Sequence, residues 1–296
     1  MNFQREFGQI IDYFVREYNA GRTPNPCVRC NEYLKFGKLA HYARAIGAEY
    51  VATGHYARLR VVEEEPQLLR GRDLSKDQSY VLFGVPRAEL GHMLLPLGDL
   101  DKTRVRELAA EFGLPVFNKP DSQEICFVPD NDYARLVRAR TPEAFRPGRI
   151  LGTDGRVLGE HEGHQHFTIG QRRGLGVALG HPAYVTAIDP VANTVTLGDL
   201  ADVQHRSLIA HEVNWLATDQ AGASVERRVM AKVRYNSPPA LAVTVLEGPD
   251  TLRVRFDNPV AAITPGQAVV CFDLPEADGS QRLLGGGWIS QVETGA

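Results

Sequence analysis

Two of the four cysteines stand in a setting that could support thiol chemistry. Cys27 and Cys30 form a C-x-x-C pair in the segment GRTPNPCVRCN. The pair is compatible with half of a zinc site, with a redox pair, or with one reactive thiol near a helix N-terminus. In the last case the helix dipole and the nearby Arg29 and Lys35 favour the thiolate. The alternative is a purely structural role.

The other two cysteine settings are less informative. Cys126 lies between Ile125 and Phe127, which is more typical of a core residue than of a catalytic one. Cys271 lies in the apolar run AVVCFD, and we expect it to occupy the core of a β-barrel.

Polar clusters elsewhere suggest contacts with nucleic acid. The segment GQRRGLG can set backbone amides and the side chains of Arg172 and Arg173 against phosphates. The segment LRGRDLSKDQSYVLF offers cations for phosphates and amides for bases, although a solvated surface has a similar composition. The histidines at 161, 164 and 166 lack a carboxylate or cysteine at metal-ligand spacing, which favours a polar loop over a metal site.

Hydrophobic periodicity predicts the elements that position these residues. Helices are expected over 3–18, ended by Gly21, and over 32–46, with the proline-rich segment as a loop between them. A third is expected over 102–112, with Phe112 among its inward residues. EYVATGH predicts a short buried strand, and VVEEEP a solvated hairpin tip.

The order of these elements predicts an α/β unit with a parallel sheet. Ligands bind at the carboxyl ends of such strands, which places Thr53, Gly54 and His55 at a binding edge. After about residue 147 the chain changes to short alternating runs separated by Gly, Pro, Asn and Asp. That pattern is typical of antiparallel β domains and small barrels.

Composition and charge exclude several classes of protein. A net charge of −3 argues against a polybasic binder, although a local basic surface can still dock RNA. No apolar run is long enough for a membrane span, and the N-terminus does not resemble a signal peptide. Four cysteines in 296 residues do not form a disulfide scaffold, so we expect a cytoplasmic protein.

The motifs, taken in order, resemble one family. GRTPNPCVRCN, ATGHYAR, LLRGRDLSKDQSYVLF, DSQEICFV, FTIGQRRGLG, VRY and FDNPVAAITPGQAVV followed by LGGG match the tRNA-specific 2-thiouridylases from about residue 2 to residue 290. The resemblance implies ATP-dependent 2-thiolation of the wobble uridine of tRNA, with sulfur carried as a cysteine persulfide.

The family's functional positions carry over to individual residues of this chain. Cys30 matches the catalytic nucleophile and Cys126 the persulfide cysteine, while Gly54 matches an ATP-contacting glycine. The positions matching tRNA contacts are Asn25, Pro26, Cys27, His55, Lys76, Asp77, Gln78, Arg234, Tyr235 and Gln267. The family also implies ATP with Mg²⁺, no permanently bound cofactor or metal, and a sulfur-donor protein such as a cysteine desulfurase or a sulfur relay protein.

Members of this family open with a strand and a Ser-Gly-Gly-x-Asp-Ser-type phosphate loop, which we do not find here. We therefore expect a truncated ATP-pyrophosphatase-like (adenine nucleotide hydrolase-like) parallel-sheet domain with a helical extension over 1–135. Two small antiparallel β domains should follow over 136–204 and 205–296, the last one barrel-like. The alternatives are a tRNA-binding remnant without ATP chemistry, and a zinc or redox module built on the C-x-x-C pair.

Overall fold

A computed structural model describes residues 2–115, 117–118, 125–130, 132–218 and 225–293 of the chain. The helices are α1 (Gln4–Asn19), α2 (Pro26–Arg29), α3 (Ala40–Ala45), α4 (Lys102–Glu111) and α5 (Tyr133–Arg140), with a π-helix over Cys30–Leu39 between α2 and α3. The strands are β1 (Val51–Ala52), β2 (Ala57–Val62), β3 (Glu65–Arg70), β4 (Met93–Leu94), β5 (Gly148–Gly152), β6 (Val157–His161), β7 (Tyr184–Asp189), β8 (Thr194–Gly198), β9 (Gln204–Trp215), β10 (Arg227–Lys232), β11 (Ala240–Leu246), β12 (Thr251–Ala261), β13 (Ala268–Phe272) and β14 (Leu283–Glu293).

Helix α1 lies where its periodicity predicts. Gly21 follows it with a φ of +68°, a left-handed conformation that suits the end of a helix. Phe14 and Tyr18 are buried on its inner face and pack with Val137 of α5. Helix α5 therefore belongs with the N-terminal helices, and the domain boundary expected after residue 135 falls inside it.

The second helix begins earlier than predicted. It starts at Pro26 rather than near residue 32, and the side chain of Asn25 accepts a hydrogen bond from the Val28 amide at 3.4 Å. An Asn at the N-cap and a Pro in the first turn are signals for the start of a helix, but the Pro-rich and Asn-rich composition of this segment is also typical of a loop. Cys27 and Cys30 consequently lie on a helix, at its first turns, rather than in a loop before it.

Strands β1 and β4 form the parallel pair of the α/β unit, with Val51 opposite Met93. The buried strand predicted in EYVATGH is thus present, and the chain leaves it toward Thr53. Strands β2 and β3 form an antiparallel hairpin whose tip, Glu63 and Glu64, has positive φ angles. The predicted solvated hairpin tip is confirmed.

Helix α4 confirms its predicted position but not its predicted inner face. Asp101 caps it by accepting a hydrogen bond from the Arg104 amide at 2.8 Å. Every residue of α4 is described and none is buried, while Phe112 just beyond it is 72% exposed. Periodicity identifies residues that share a face, but it does not show whether another element covers that face.

The second group of strands forms a four-stranded sheet in the order β6-β5-β8-β7. The outer pairings are antiparallel, as expected, whereas β5 and β8 run parallel, so the sheet is mixed. The long connection between β6 and β7 allows this, because β8 can return beside β5 without a tight hairpin.

The last six strands close into a barrel in the order β10-β11-β12-β9-β14-β13, with β13 pairing back to β10. All of its pairings are antiparallel, which confirms the barrel-like C-terminal fold. Cys271 lies on β13 with its side chain fully buried in the barrel core, as expected.

The barrel also forms the floor of the N-terminal unit. Phe83 and Trp288 share one apolar core with the residues of the cysteine-bearing helix, and their rings meet edge to face at 5.9 Å. The buried Tyr80 hydroxyl donates to the Ala268 carbonyl at 2.9 Å. This packing fixes the position of the cysteine-bearing helix relative to the edge of the barrel.

Candidate active site

One cavity of about 440 Å³ brings together cysteines that are far apart in the sequence. Its floor comes from α1, one wall comes from α2 and the start of the π-helix, and the other walls come from the end of β1, the segment around Cys126 and the barrel. The described lining residues are Phe7, Ile10, Pro24, Asn25, Pro26, Cys27, Cys30, Asn31, Lys35, His55, Gln78, Val81, Ile125, Cys126, Phe127, Tyr235 and Gln267. Most of the predicted site residues are in this set.

Cys126 faces the cavity because its neighbours are anchored in a core. The Phe127 ring meets the rings of Phe7 at 5.8 Å and Phe14 at 5.3 Å, both edge to face. Cys126 itself is exposed, so the interpretation as a core cysteine is wrong. The polar run DSQE that precedes it lies outside the described residues.

Cys27 and Cys30 lie in the same cavity on the opposite wall, and both are free thiols. Their loop is fixed to the barrel by Gln267, whose side-chain amide donates to the carbonyl oxygens of Thr23 at 3.2 Å and Pro24 at 3.1 Å. Gln267 therefore positions the start of the cysteine helix, besides lining the cavity.

The electrostatic environment keeps the C-x-x-C thiols protonated at rest. Burial raises the pKa of Cys27 to about 11. Solvent can reach this residue, but it lies in the crowded wall of the cavity, where the thiolate is poorly hydrated. Burial also raises the pKa of Cys30, and the ammonium of Lys35 opposes that rise. Of the two cations expected to favour the thiolates, only Lys35 acts in that direction: it lowers the pKa of both thiols, but by less than burial raises it.

Arg29 points away from the thiols and anchors the helix instead. Its guanidinium donates to Glu32 at 3.0 Å and Glu212 at 2.6 Å, and it lies 4.1 Å from the centroid of the Trp288 ring. Because Glu212 and Trp288 belong to barrel strands, Arg29 holds the cysteine helix against the barrel.

His55 and Lys35 form a polar pair at the far end of the cavity. The Lys35 Nζ atom lies 3.4 Å from His55 Nε2, and the Thr53 hydroxyl lies 2.8 Å from His55 Nδ1. Burial, with a contribution from Lys35, lowers the pKa of His55 to about 4, so its imidazole is neutral. Lys35 is the nitrogen donor of the pair, which leaves Nδ1–H to donate to Thr53.

Gln78 and Tyr235 close the cavity from the remaining side. The Gln78 side-chain oxygen accepts from the Tyr56 amide at 3.0 Å, which fixes the orientation of its amide group. The Tyr235 ring packs edge to face on Tyr80 at 6.1 Å. Both residues present polar groups to the space between the cysteines.

Four of the predicted site residues do not line the cavity. Gly54 is exposed directly after β1, and Lys76 is half-buried on the loop after β3. Asp77 is buried and accepts from Arg70 at 2.8 Å. Arg234 donates to the Ile169 carbonyl at 2.6 Å, and so ties the barrel to the four-stranded sheet.

The histidine-rich loop joins the sheet to the N-terminal helices. His164 lies with its ring nitrogens 3.2 Å from the Asn193 side-chain oxygen and 3.2 Å from the Asn19 carbonyl oxygen. Across the described ranges, no group of three or more His, Cys, Asp or Glu side chains is placed to hold a metal ion. Arg172 and Arg173, further along, are exposed.

Among the polar lining residues that the sequence did not predict as part of the site is Asn31. Its side-chain nitrogen donates to the Val81 carbonyl at 2.9 Å, and its buried Oδ1 has no hydrogen-bond partner among the described residues. Its position directly after Cys30 is the only signal in the sequence that could have identified it.

Models of three consecutive domains match the chain. They are described as the tRNA methyl transferase HUP domain over 1–130, the tRNA methyl transferase PRC-barrel domain over 137–199 and the aminomethyltransferase beta-barrel domain over 205–289. The fold and cavity thus define a class of protein in which a HUP-type α/β domain is followed by two β domains, and a thiol-lined cavity lies between the first domain and the last.

Similar proteins from several bacteria carry the name tRNA-specific 2-thiouridylase MnmA. The relative from Moorella thermoacetica is 47% identical over 98% of this chain and 79% of its own length. The relative from Rhodopirellula baltica is 45% identical over 99% of this chain and 72% of its own, and that from Clostridioides difficile is 44% identical over 98% and 79%. The chain belongs to the tRNA-specific 2-thiouridylase family.

None of the helices in the described part of the chain has the length and apolar character needed to cross a membrane.

Proposed function

We propose that this protein transfers sulfur to carbon 2 of the wobble uridine of tRNA, with ATP as the second substrate. The observation that carries the proposal is the meeting of Cys30 and Cys126 in one cavity, although 96 positions separate them in the sequence. Sulfur transfer through a persulfide needs two thiols, one to carry the sulfur and one to release it.

The chemistry assigns one task to each thiol. Oxygen 2 of uridine first takes the adenylyl group of ATP and pyrophosphate leaves, which turns that oxygen into a good leaving group. The outer sulfur of a Cys126 persulfide then attacks carbon 2, and AMP departs with the oxygen. Finally the Cys30 thiolate attacks the Cys126 sulfur and breaks its bond to the transferred sulfur, whose electron pair completes the thiocarbonyl. The Cys30–Cys126 disulfide formed is reduced by an external thiol.

Gly54 is the described residue assigned to the nucleotide. It is exposed at the carboxyl end of β1, where nucleotides approach parallel strands. Among the described residues, a Cβ atom there would meet only Leu97, at an ordinary contact distance of 3.5 Å, so packing against them does not require a glycine. A nucleotide that approaches the backbone closely at this position would explain why the residue is a glycine.

The polar lining of the cavity suits an extruded uracil. We assign base contacts to Asn25, Pro26 and Cys27, because an unstacked base must enter between the two cysteine walls. For further tRNA contacts we propose His55, Lys76, Gln78, Tyr235 and Gln267. Asp77 and Arg234 are engaged with protein groups, and we propose that they act by holding the tRNA-binding surface in shape.

The persulfide must come from outside the cavity. Cys126 is exposed, which suits delivery of sulfur by a donor protein such as a cysteine desulfurase or a relay protein. Free thiols and a tRNA substrate both suit the cytoplasm. We propose the three domains expected from the sequence, with the first boundary moved from residue 135 to the end of α5 and the second kept between residues 204 and 205.

Thiolation of tRNA by the purified protein tests the proposal. The protein is supplied with tRNA, ATP and a desulfurase with cysteine, and thiolated tRNA is separated on a mercury-containing gel. Cys126→Ser and Cys30→Ser should abolish product, while Cys271→Ala, which removes a thiol buried in the barrel core, should retain it. Cys126→Ser should leave tRNA affinity within a few-fold, because the thiol adds little ground-state binding.

Three results would count against the proposal. More than a tenth of the rate in Cys126→Ser would remove that residue from the reaction. Binding of tRNA without pyrophosphate release would favour a binding protein without ATP chemistry. Methyl transfer to tRNA from S-adenosylmethionine, without sulfur incorporation, would favour the activity named in two of the matching domain models.

A further inference from the structure

The π-helix changes which side chains share a face with Cys30. In an α-helix, residues five apart point about 140° away from each other. In a π-helix the amide of residue i+5 bonds to the carbonyl of residue i, so residues five apart lie one above the other. The segment Cys30–Leu39 is π-helical, and Cys30 and Lys35 both line the cavity. An α-helical register would turn Lys35 away from the thiol.

Lys35 is the only charged side chain among the described residues that line the cavity. The other titratable groups facing it are the thiols of Cys27 and Cys126, the phenol of Tyr235 and the neutral imidazole of His55. His55 Nε2 accepts from the Lys35 ammonium, and the Thr53 hydroxyl holds the imidazole from its other side. The ammonium is therefore fixed in place by a neutral partner that does not cancel its charge.

We propose that Lys35 supplies the positive charge that stabilises the Cys30 thiolate when it attacks Cys126, and that the π-helical register serves to place it there. The inference rests on the proposed function, and it adds a residue to which no role in that reaction is otherwise assigned. Burial penalises the thiolate in this cavity, and the pKa of Cys30 is lowered by Lys35 against that penalty. A fixed cation makes the thiolate accessible without opening the cavity to water.

Gly37 supports the register argument independently. A Cβ atom at Gly37 would lie 2.9 Å from the carbonyl oxygen of Glu32, the residue five positions earlier. That contact is closer than a side-chain carbon tolerates, so a glycine at this position permits the π-helix. An alanine would favour the α-helical register, because it has the higher helix propensity and cannot make this approach.

Alkylation of Cys30 tests the role of Lys35 without tRNA or ATP. In a Cys27→Ser/Cys126→Ser background, Cys30 is the accessible thiol and Cys271 stays buried. The rate of reaction with iodoacetamide is followed from pH 6 to 11. Lys35→Met should move the midpoint of the rate profile upward and slow alkylation about tenfold at pH 8. Lys35→Arg should restore most of the rate, and Lys38→Met, on the same helix but outside this cavity, should match the parent.

The glycine variants test the register. Gly37→Ala should shift the profile in the same direction as Lys35→Met, whereas Gly8→Ala, where no atom lies within 4 Å of the added carbon, should not. An unchanged profile in Lys35→Met, or an equal shift in Lys38→Met, overturns the proposal, provided circular dichroism shows the fold intact. Since the assay needs no sulfur transfer, a failure of the proposed function would leave the alkylation result standing by itself.

Discussion

Replacing Asp77 by alanine should destabilise the protein by about 3–5 kcal/mol, because the change leaves a buried cation without its partner. The Asp77 carboxylate accepts from Arg70 at 2.8 Å, from the Gly71 amide at 3.0 Å and from the Ser79 amide at 3.1 Å. The two side chains are 1% and 9% exposed, so water cannot replace the lost bonds. Among the described residues, the Arg70 guanidinium then keeps one side-chain hydrogen bond, to Gln281 at 2.7 Å, and its contact with the Phe272 ring.

Denaturation by urea, with tRNA binding measured in parallel, separates stability from recognition. Glu65→Ala is the matched control, because it breaks the exposed ion pair between Glu65 and Arg87, whose side chains are 49% and 43% exposed respectively. This change should lower the free energy of unfolding by at most about 1 kcal/mol. Arg70→Met combined with Asp77→Ala should be more stable than Asp77→Ala alone, because the uncompensated charge is gone.

A result within about 1 kcal/mol of wild type for Asp77→Ala would refute this reasoning. It would mean that the loop after β3 relaxes and hydrates Arg70. If tRNA affinity then fell sharply, Asp77 would have to act as a direct tRNA contact rather than as a support for the loop. A large loss of stability with an unchanged affinity of the folded fraction would support the structural role.

Three further expectations follow from single residues. Cys271→Ala should cost about 1–2 kcal/mol of unfolding free energy in a thermal melt and leave thiolation unchanged, and equal loss of activity in Cys271→Ala and Cys30→Ser would contradict the assignment. The folded protein keeps His55 neutral, so the free energy of unfolding contains about 3 kcal/mol from this residue above pH 6.5, which is lost as pH falls toward 4. His55→Gln should therefore flatten the pH dependence of stability between pH 6.5 and 4, and an unchanged curve would show that the imidazole opens to water. Binding to tRNA should weaken as salt rises, and Arg172→Ala, at an exposed cation, should reduce the slope of that dependence by about one in filter-binding titrations, whereas salt-independent binding would rule out phosphate contacts.

Local patterns predicted the elements well where one periodicity dominates. Phe14 and Tyr18 follow the helical repeat of α1, and the alternating strands of the barrel bury Cys271 as expected. These features are local, because a helix or strand with one apolar face needs only some partner to cover it. The same rule failed at Phe112, where the periodicity is helical and no described element buries the ring.

The register of the cysteine helix could not be read from local signals. The helix propensities of the residues do not distinguish a π-helix from an α-helix. The start of the helix at Asn25 and Pro26 also resembles a loop in composition. The parallel pairing of β5 with β8 was missed for a related reason, since alternation shows the faces of a strand but not the direction of its neighbour.

The position of Cys126 depends on contacts that no local pattern contains. Its flanking residues, Ile125 and Phe127, give the signature of a core segment, and Phe127 does pack into a core, against Phe7 and Phe14. That anchoring is what holds the intervening thiol toward the cavity, because the apolar neighbours on both sides are held against the helices.

The barrel completes the site from the other side of the molecule. Gln267 holds the backbone before Cys27, and Arg29 fastens the helix to Trp288 and Glu212. Cys30 therefore takes its position from the C-terminal domain together with α1, whose Tyr13 ring lies against both Arg29 and Trp288, while Cys126 takes its position from α1. Because the barrel holds the helix of Cys30 through Gln267 and Arg29, a change in how the barrel meets the N-terminal helices would alter the separation of the two thiols. In the proposed reaction, docking of tRNA across both units would therefore act on the step in which Cys30 attacks Cys126.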